Sequence, residues 1–270
     1  MNLPNLSDQI KIVFFDIDET LIVKDKDLLP ESILSSIQKL QQKGIIAAIA
    51  TGRSPCSFPP KIKALAKQTG MNTFVTMNGQ YVVHQGNVVD KLPIPPQKIT
   101  EVVAFFESVG FDYAFVSNEH LAVSAITDQV RSALDPLQTD YHIDKDYYQT
   151  HDVFQILPFY DESKDQLVAD SGVLKGLKTV RWHEQSVDLF DAQGSKARGI
   201  LHLLKHLNLS IENAMAFGDG LNDLEMLTTV GVGVAMGNAC DELKAVADFE
   251  TDHIEQDGIA RFLHKTGLID

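Results

Sequence analysis

Short, continuously apolar runs that stop at clusters of polar side chains constrain this chain more than any other feature. Lys11 opens Ile12-Val13-Phe14-Phe15, which ends at Asp16-Ile17-Asp18. Ile45 to Ala50 ends at Thr51-Gly52-Arg53, and Ala214 to Phe217 ends at Gly218-Asp219-Gly220. Unalternated β-branched and aromatic residues mark strands covered on both faces. Helical periods lie between the runs. Pro30 opens a stripe of Ile33, Ile37 and Leu40 that Gly44 ends, and Ile62, Leu65 and Ala66 lead to Gly70. With Phe74 to Met77 as a further strand, the order strand, helix, strand, helix, strand predicts an α/β fold with a parallel sheet.

The texture changes near Asn78-Gly79. Tyr81 to His84, the turn Gln85-Gly86-Asn87 and Val88-Val89 read as a hairpin. Pro93, Pro95 and Pro96 then break the chain before a helical stripe of Ile99, Val102, Val103 and Phe106. Tyr113 to Val116, Val153 to Leu157 and Leu177 to Trp182 read as strands, and residues 124–138 and Lys164 to Asp170 as helical. We expect residues 84–185 to form an inserted α+β module that interrupts a core made of residues 1–83 and 186–270. Val187 to Phe190 is expected to return the chain to the core as a strand. Ser195 can cap a helix carrying Ile200, Leu203, Leu204 and Leu207. A helix through Leu224 to Leu227, the apolar Val230 to Met236, a turn at Gly237-Asn238 and a last helix from Asp257-Gly258 complete the core.

Charge narrows the partners. Lys and Arg number 23 against 37 Asp and Glu, a formal net charge of −14. That leaves no surplus of cations to displace phosphate counterions, so nucleic acid is not an expected partner. Acidic charge does suit divalent cations. No apolar stretch approaches the length of a membrane span, and Met1 to Ile10 shows no secretory leader. Cys56 and Cys240 are too few for a disulfide framework or a cysteine metal cluster. A cytoplasmic protein is the expectation, as a monomer or a homo-oligomer.

In open parallel sheets, ligands collect at the carboxyl ends of the strands. Here those ends offer Asp16 and Asp18, then Thr51, Gly52 and Arg53, then Asp219, Asn222 and Asp223. Each cluster taken alone could be a set of helix caps. Three together with Lys196 at the start of a helix are better explained by phosphoryl chemistry. Carboxylates held close repel unless a cation neutralises them, and Mg²⁺ is a natural partner for hard oxygen ligands. One carboxylate can attack phosphorus, and the other can protonate the leaving oxygen and then activate water. The Thr51 hydroxyl and Gly52 N–H can receive phosphate oxygens, and Lys196 can bridge phosphate and nucleophile.

These segments resemble the haloacid dehalogenase-like phosphatases. Asp16-Ile17-Asp18-Glu19-Thr20 is similar to their first motif, Thr51-Gly52-Arg53 to the second, Lys196 to the third, and Gly218-Asp219-Gly220-Leu221-Asn222-Asp223 to the fourth. The resemblance is closest to the Cof-type subfamily, subclass IIB. Val234-Ala235-Met236-Gly237-Asn238-Ala239 and Asp257-Gly258-Ile259-Ala260 look like its C-terminal signatures. It implies a Rossmann-like core with an inserted α/β cap of the C2 type that selects the leaving group. It implies Mg²⁺-dependent hydrolysis of small-molecule phosphomonoesters through an aspartyl-phosphate. Asp16 then matches the nucleophile and a metal ligand, and Asp18 the general acid/base and a metal ligand through its backbone carbonyl. Asp219 matches a direct metal ligand and Asp223 an outer-sphere support. Thr51, Gly52, Lys196 and Asn222 match phosphate-binding positions.

One departure stands out. The family commonly has Gly where this chain has Glu19, and Gly eases a tight turn. Glu19 is expected to turn away from the phosphate site; the alternative is reduced activity or a narrower substrate choice. Two rival functions stay open: a sugar phosphomutase using the same aspartyl-phosphate, and a weakly active ligand-binding protein. Arg53 is expected to anchor its loop, His202 and His206 to lie on a helix surface, and Trp182 and His183 to pack at the joint between modules.

Overall fold

The computed structural model describes residues 3–270. Met1 and Asn2, the start of the stretch read for a leader, lie outside the described residues. In chain order the strands are β1 (Ile12–Phe15), β2 (Ile46–Ala50), β3 (Thr73–Thr76), β4 (Tyr81–His84) and β5 (Asn87–Lys91). Then follow β6 (Asp112–Val116), β7 (Leu121–Val123), β8 (Tyr141–Ile143), β9 (Gln155–Phe159), β10 (Leu177–His183) and β11 (Ser186–Asp191). The chain closes with β12 (Ala214–Gly218), β13 (Val232–Ala235) and β14 (Phe249–Glu250).

These strands make two sheets in two compact units. One unit comprises residues up to Gly52, Pro60–Asp90 and Ser195–Asp270. Its eight-stranded sheet has the order β14-β13-β12-β1-β2-β3-β4-β5. From β14 across to β3 every pairing is parallel. β1, β2, β12 and β13 are buried almost throughout, as their unbroken apolar runs require. The chain leaves β1 toward β2 on one side and returns to β12 on its other side. β1 is therefore the point where strand order reverses, and the carboxyl ends of β1 and β12 flank the natural ligand crevice of such a sheet.

β4 folds back antiparallel on β3 and leads into β5. Gln85 and Gly86 both hold left-handed backbone, φ 51° and 78°, as a tight two-residue hairpin turn requires. This sheet thus runs on through β5, beyond the expected limit at residue 83.

The other unit comprises Arg53–Pro59 and Lys91–Gly194. Its six-stranded sheet has the order β10-β11-β9-β6-β7-β8. Only β7 and β8 run parallel there; the remaining pairs are antiparallel. The helix Pro96–Val109 presents Ile99, Val102, Val103 and Phe106 to a core with Tyr113, Phe115, Ile156 and Leu189. That is the helical stripe read from the sequence, packed on one face of an antiparallel sheet.

The strand Val187 to Phe190 corrects an expectation. The sequence pattern suggests a return to the parallel sheet, but β11 pairs with β9 and β10 in the second sheet. Its apolar run is buried at Val187, Leu189 and Phe190. Burial alone does not say which sheet buries it, whereas the tight link from β10 at His183 to β11 at Ser186 fixes an antiparallel partner. The core resumes at Ser195, whose hydroxyl accepts the Arg198 N–H at 3.1 Å and caps the helix Lys196–His206, as expected. The short strands β7 and β8 were not read from the sequence; at three residues each they are too brief for a periodicity to register.

Candidate active site

All the site residues read from the sequence except Arg53 lie in the first unit. Asp16 is the first residue past β1. Its N–H still donates to Phe217 O at 3.1 Å, so β12 holds it in register beside Gly218. The neighbouring strands are tied by the Phe15 and Phe217 rings, which stack with centroids 5.6 Å apart. Asp16 as a residue is only 5% exposed.

Lys196 opens its helix, where the positive end of the helix dipole disfavours a cation. It is nonetheless 1% exposed. Two carboxylates hold it there: Nζ lies 2.8 Å from Asp16 Oδ1 and 2.6 Å from Asp223 Oδ1. The other oxygen of Asp223 accepts the N–H groups of Asp219 at 3.0 Å and Gly220 at 3.1 Å. Both Asp223 oxygens are thus engaged. Gly218 is required by this packing, because a Cβ there would come 2.5 Å from Asp223 Cγ. Asp219 accepts a hydrogen bond from Thr20 Oγ1 at 2.9 Å, tying β12 to the turn after β1.

Asp16, Asp219 and Asp223 bring carboxylate oxygens within 4.8 Å of one another. With all three carboxylates ionised, a single lysine leaves the cluster two formal negative charges in excess. Burial pushes the Asp219 carboxyl up to about 8, with the Asp16 and Asp223 charges adding to it. Burial likewise raises Asp16; Lys196 draws it back down, while Asp223 and Asp18 oppose that pull. Burial alone would lower Lys196, but the two carboxylates reverse this and hold it above the ordinary lysine range. A buried group of hard oxygens with an unbalanced double negative charge fits a divalent cation in donor chemistry and in charge.

Asp18 lies outside that group of three, two residues along the turn, where its backbone bridges to Ile22. Glu19 next to it holds left-handed backbone, φ 56°, which costs a non-glycine residue about 1–2 kcal/mol. Its side chain is engaged locally: Oε1 accepts the Lys24 N–H at 2.8 Å. The turn therefore keeps the conformation that Gly would favour, and Glu19 satisfies a backbone donor within it.

Thr51 and Gly52 follow β2. Thr51 is buried, with its N–H on Val75 O at 2.9 Å. In the sequence Asn78 marks only a change of texture, yet it belongs to this edge. Its N–H donates to Thr51 O at 3.1 Å, and its side chain lies against Gly52, 3.2 Å from where a Cβ would be. Met77, Asn78 and Gly79 are all left-handed, with φ 50°, 53° and 75°. A Cβ on Gly79 would fall 1.8 Å from Ser195 O, so this tight turn brings the Thr51 edge directly against the start of the Lys196 helix. The signal for it was the Asn78-Gly79 pair, a left-handed turn signature.

Asn222 is exposed at the rim, its Oδ1 against Gly220. Arg53 belongs to the other unit, where its guanidinium donates to Ser57 O at 3.1 Å and anchors its own loop. His202 is half exposed and pairs with Asp90 at 3.1 Å.

A family model described as haloacid dehalogenase-like hydrolase matches residues 13–263. The putative phosphatase YkrA of Bacillus subtilis is 37% identical over 261 residues, 96% of this chain and 98% of that protein. A solved structure of a hypothetical protein from Geobacillus kaustophilus superposes with a TM-score of 0.89 at 37% identity, covering 96% of this chain and 100% of that one. The subclass IIB sugar phosphatase BT4131 superposes with a TM-score of 0.83 at 30% identity, with the same coverage.

Proposed function

The chain belongs to the haloacid dehalogenase-like hydrolases, and from that premise we propose that it hydrolyses small phosphomonoesters, with Asp16 as the nucleophile and Mg²⁺ as the cation. The observation that carries this reading is Lys196, buried between Asp16 and Asp223 beside Asp219. A buried lysine that serves two carboxylates at a sheet's carboxyl edge suits phosphoryl transfer, where positioning and charge neutralisation do most of the work.

Asp16 and Asp219, with the Asp18 backbone carbonyl, would hold the cation, and Asp223 would support them from behind. When bound, the cation offsets the negative charge that the nucleophile and the incoming phosphate share. Lys196 favours the ionised form of Asp16 against its burial and fixes the direction of Oδ1. Thr51, Gly52, Asn222 and Lys196 receive the phosphate oxygens. A free Asp16 oxygen attacks phosphorus, and the P–O bond to the substrate's alcohol breaks. That oxygen takes a proton from the Asp18 carboxyl. Asp18, now a carboxylate, accepts a proton from water as the water oxygen attacks phosphorus. The P–O bond to Asp16 then breaks, free phosphate leaves, and both carboxyls return to their starting states.

We assign residues 91–194 the role of cap, and with it the choice of leaving group. A sugar phosphate is the substrate class in keeping with the sugar phosphatase BT4131. We read the compartment as cytoplasmic, in keeping with Cys56 and Cys240 forming no disulfide among the described residues. The test is phosphate release from a panel of sugar, nucleotide and cofactor phosphomonoesters, with Mg²⁺ and with EDTA. Mg²⁺-dependent release from a subset of esters is expected. No release from any ester, or release unaffected by EDTA, would overturn the reading, and an isomeric sugar phosphate formed without free phosphate would identify a mutase instead.

A further inference from the structure

We propose that Asn238 is a positioning residue that clamps the turn carrying Asp18, and so sets the acid/base step. The inference rests on Asp18 having the acid/base role assigned above.

Asn238 follows β13, two strands away from β1 in the sheet. Its side chain nevertheless reaches the turn after β1. Nδ2 donates to Glu19 O at 2.7 Å, and Oδ1 accepts the Ile254 N–H at 3.0 Å. A carbonyl can only accept and a backbone N–H can only donate, so the two partners fix which way the amide points. Ile254 is buried and gives the clamp a firm base.

The bond matters because of what Glu19 is. Its backbone is left-handed, a conformation that relaxes to negative φ unless something holds it. Its N–H donates to Ile22 O at 2.8 Å, which fixes the peptide plane containing the Asp18 carbonyl. Its own C=O, held by Asn238, fixes the next plane, which leads into Thr20 and its bond to Asp219. Release of the Glu19 carbonyl frees the turn to relax, and Asp18 moves with it. The same short segment also holds the Asp219 backbone, since the Cys240 N–H donates to Asp219 O at 3.0 Å. Where a glycine stands at the turn the left-handed state carries little strain. With Glu19 there, the clamp has more to do.

The test uses Asn238→Asp, which keeps the size of the side chain and the acceptor for Ile254 but replaces the donor facing Glu19 O. Asn238→Ser provides a neutral second variant. Hydrogen–deuterium exchange of residues 17–24 should quicken by roughly tenfold or more in both variants, with the melting temperature little changed. In kinetics, kcat/KM for an alkyl phosphate should fall by ~10–100-fold, because its leaving oxygen needs the proton from Asp18. With Mg²⁺ raised to saturation for each variant, which offsets any weakening of the Asp18 carbonyl as a cation ligand, the fall for p-nitrophenyl phosphate, whose leaving group departs without a proton, should stay within about threefold. A purely structural lesion would reduce both substrates alike. Unchanged exchange in residues 17–24 overturns the clamp whatever the activity, and equal losses on the two substrates overturn its link to Asp18. A wild-type protein inactive on every ester would instead overturn the phosphatase reading, and the exchange result would still decide the clamp.

Discussion

Asp16→Asn protein should lose at least ~10⁴-fold in kcat on any ester that the wild type hydrolyses, because an amide cannot serve as the attacking group. The loss should come without unfolding. Asp16 is buried, and its carboxyl is raised above its unfolded value chiefly by that burial. A group raised in this way favours the folded state least once pH exceeds the folded pKa. Removing its charge takes one of three negative charges from a cluster that has a single lysine. Lys196 keeps its bond to Asp223. In EDTA near neutral pH, the variant should therefore melt no lower than the wild type. Circular dichroism melts beside phosphate-release assays check both halves. An inactive variant that is also unfolded would leave the loss unassigned to chemistry, so the melt is part of the prediction.

Lys196→Met should damage both stability and activity. The side chain is buried and bonded to two carboxylates, and removing one partner of a buried ionic group costs about 3–5 kcal/mol. For a chain of this size that corresponds to a drop of roughly 10 °C in melting temperature. Turnover should fall by about 10³-fold, since Lys196 orients Asp16 and, in the proposed mechanism, receives phosphate. The sign of the pH dependence follows from Asp16. Without Lys196 nothing opposes the burial that raises its pKa, so the folded value climbs further above the ordinary carboxylate range. Stability from such a group is full below the unfolded pKa and is lost as pH rises through the folded one. The variant should thus be most unstable at alkaline pH and recover part of the deficit near pH ~5. Urea melts of both proteins in EDTA at mildly acidic and mildly alkaline pH would show the gap widening as pH rises. A gap independent of pH would mean that Lys196 matters for its packing rather than its charge.

Much of the site is local in sequence. Asp16, Thr51 and Asp219 stand where apolar runs end, and an apolar run buried on both faces is readable without a structure. The Ser195 cap was equally readable, being a contact over three residues. Asn78 and Asn238 were not, because their roles lie in bonds to segments far away in the chain. Asn238 meets Glu19 across 219 positions, and no periodicity encodes that meeting. Glu19 shows a different limit. The sequence indicates a departure from glycine, but only the backbone shows that the left-handed turn persists, its side chain capping Lys24. Sheet membership was also beyond reach for Val187 to Phe190: the run is buried as expected, yet in the antiparallel sheet of the inserted unit. Periodicity reports burial, while partner choice depends on connections that span the whole fold.

The central claim is that phosphate passes through a covalent bond to Asp16, and trapping that bond tests it most directly. The enzyme would be mixed with Mg²⁺ and its best ester, quenched in acid within the first turnover, and reduced with borohydride, which converts an aspartyl-phosphate to homoserine. Peptide mapping should find homoserine at position 16, and none in protein quenched without substrate. Rapid phosphate release with Asp16 unmodified, or modification at another carboxylate, would contradict the account.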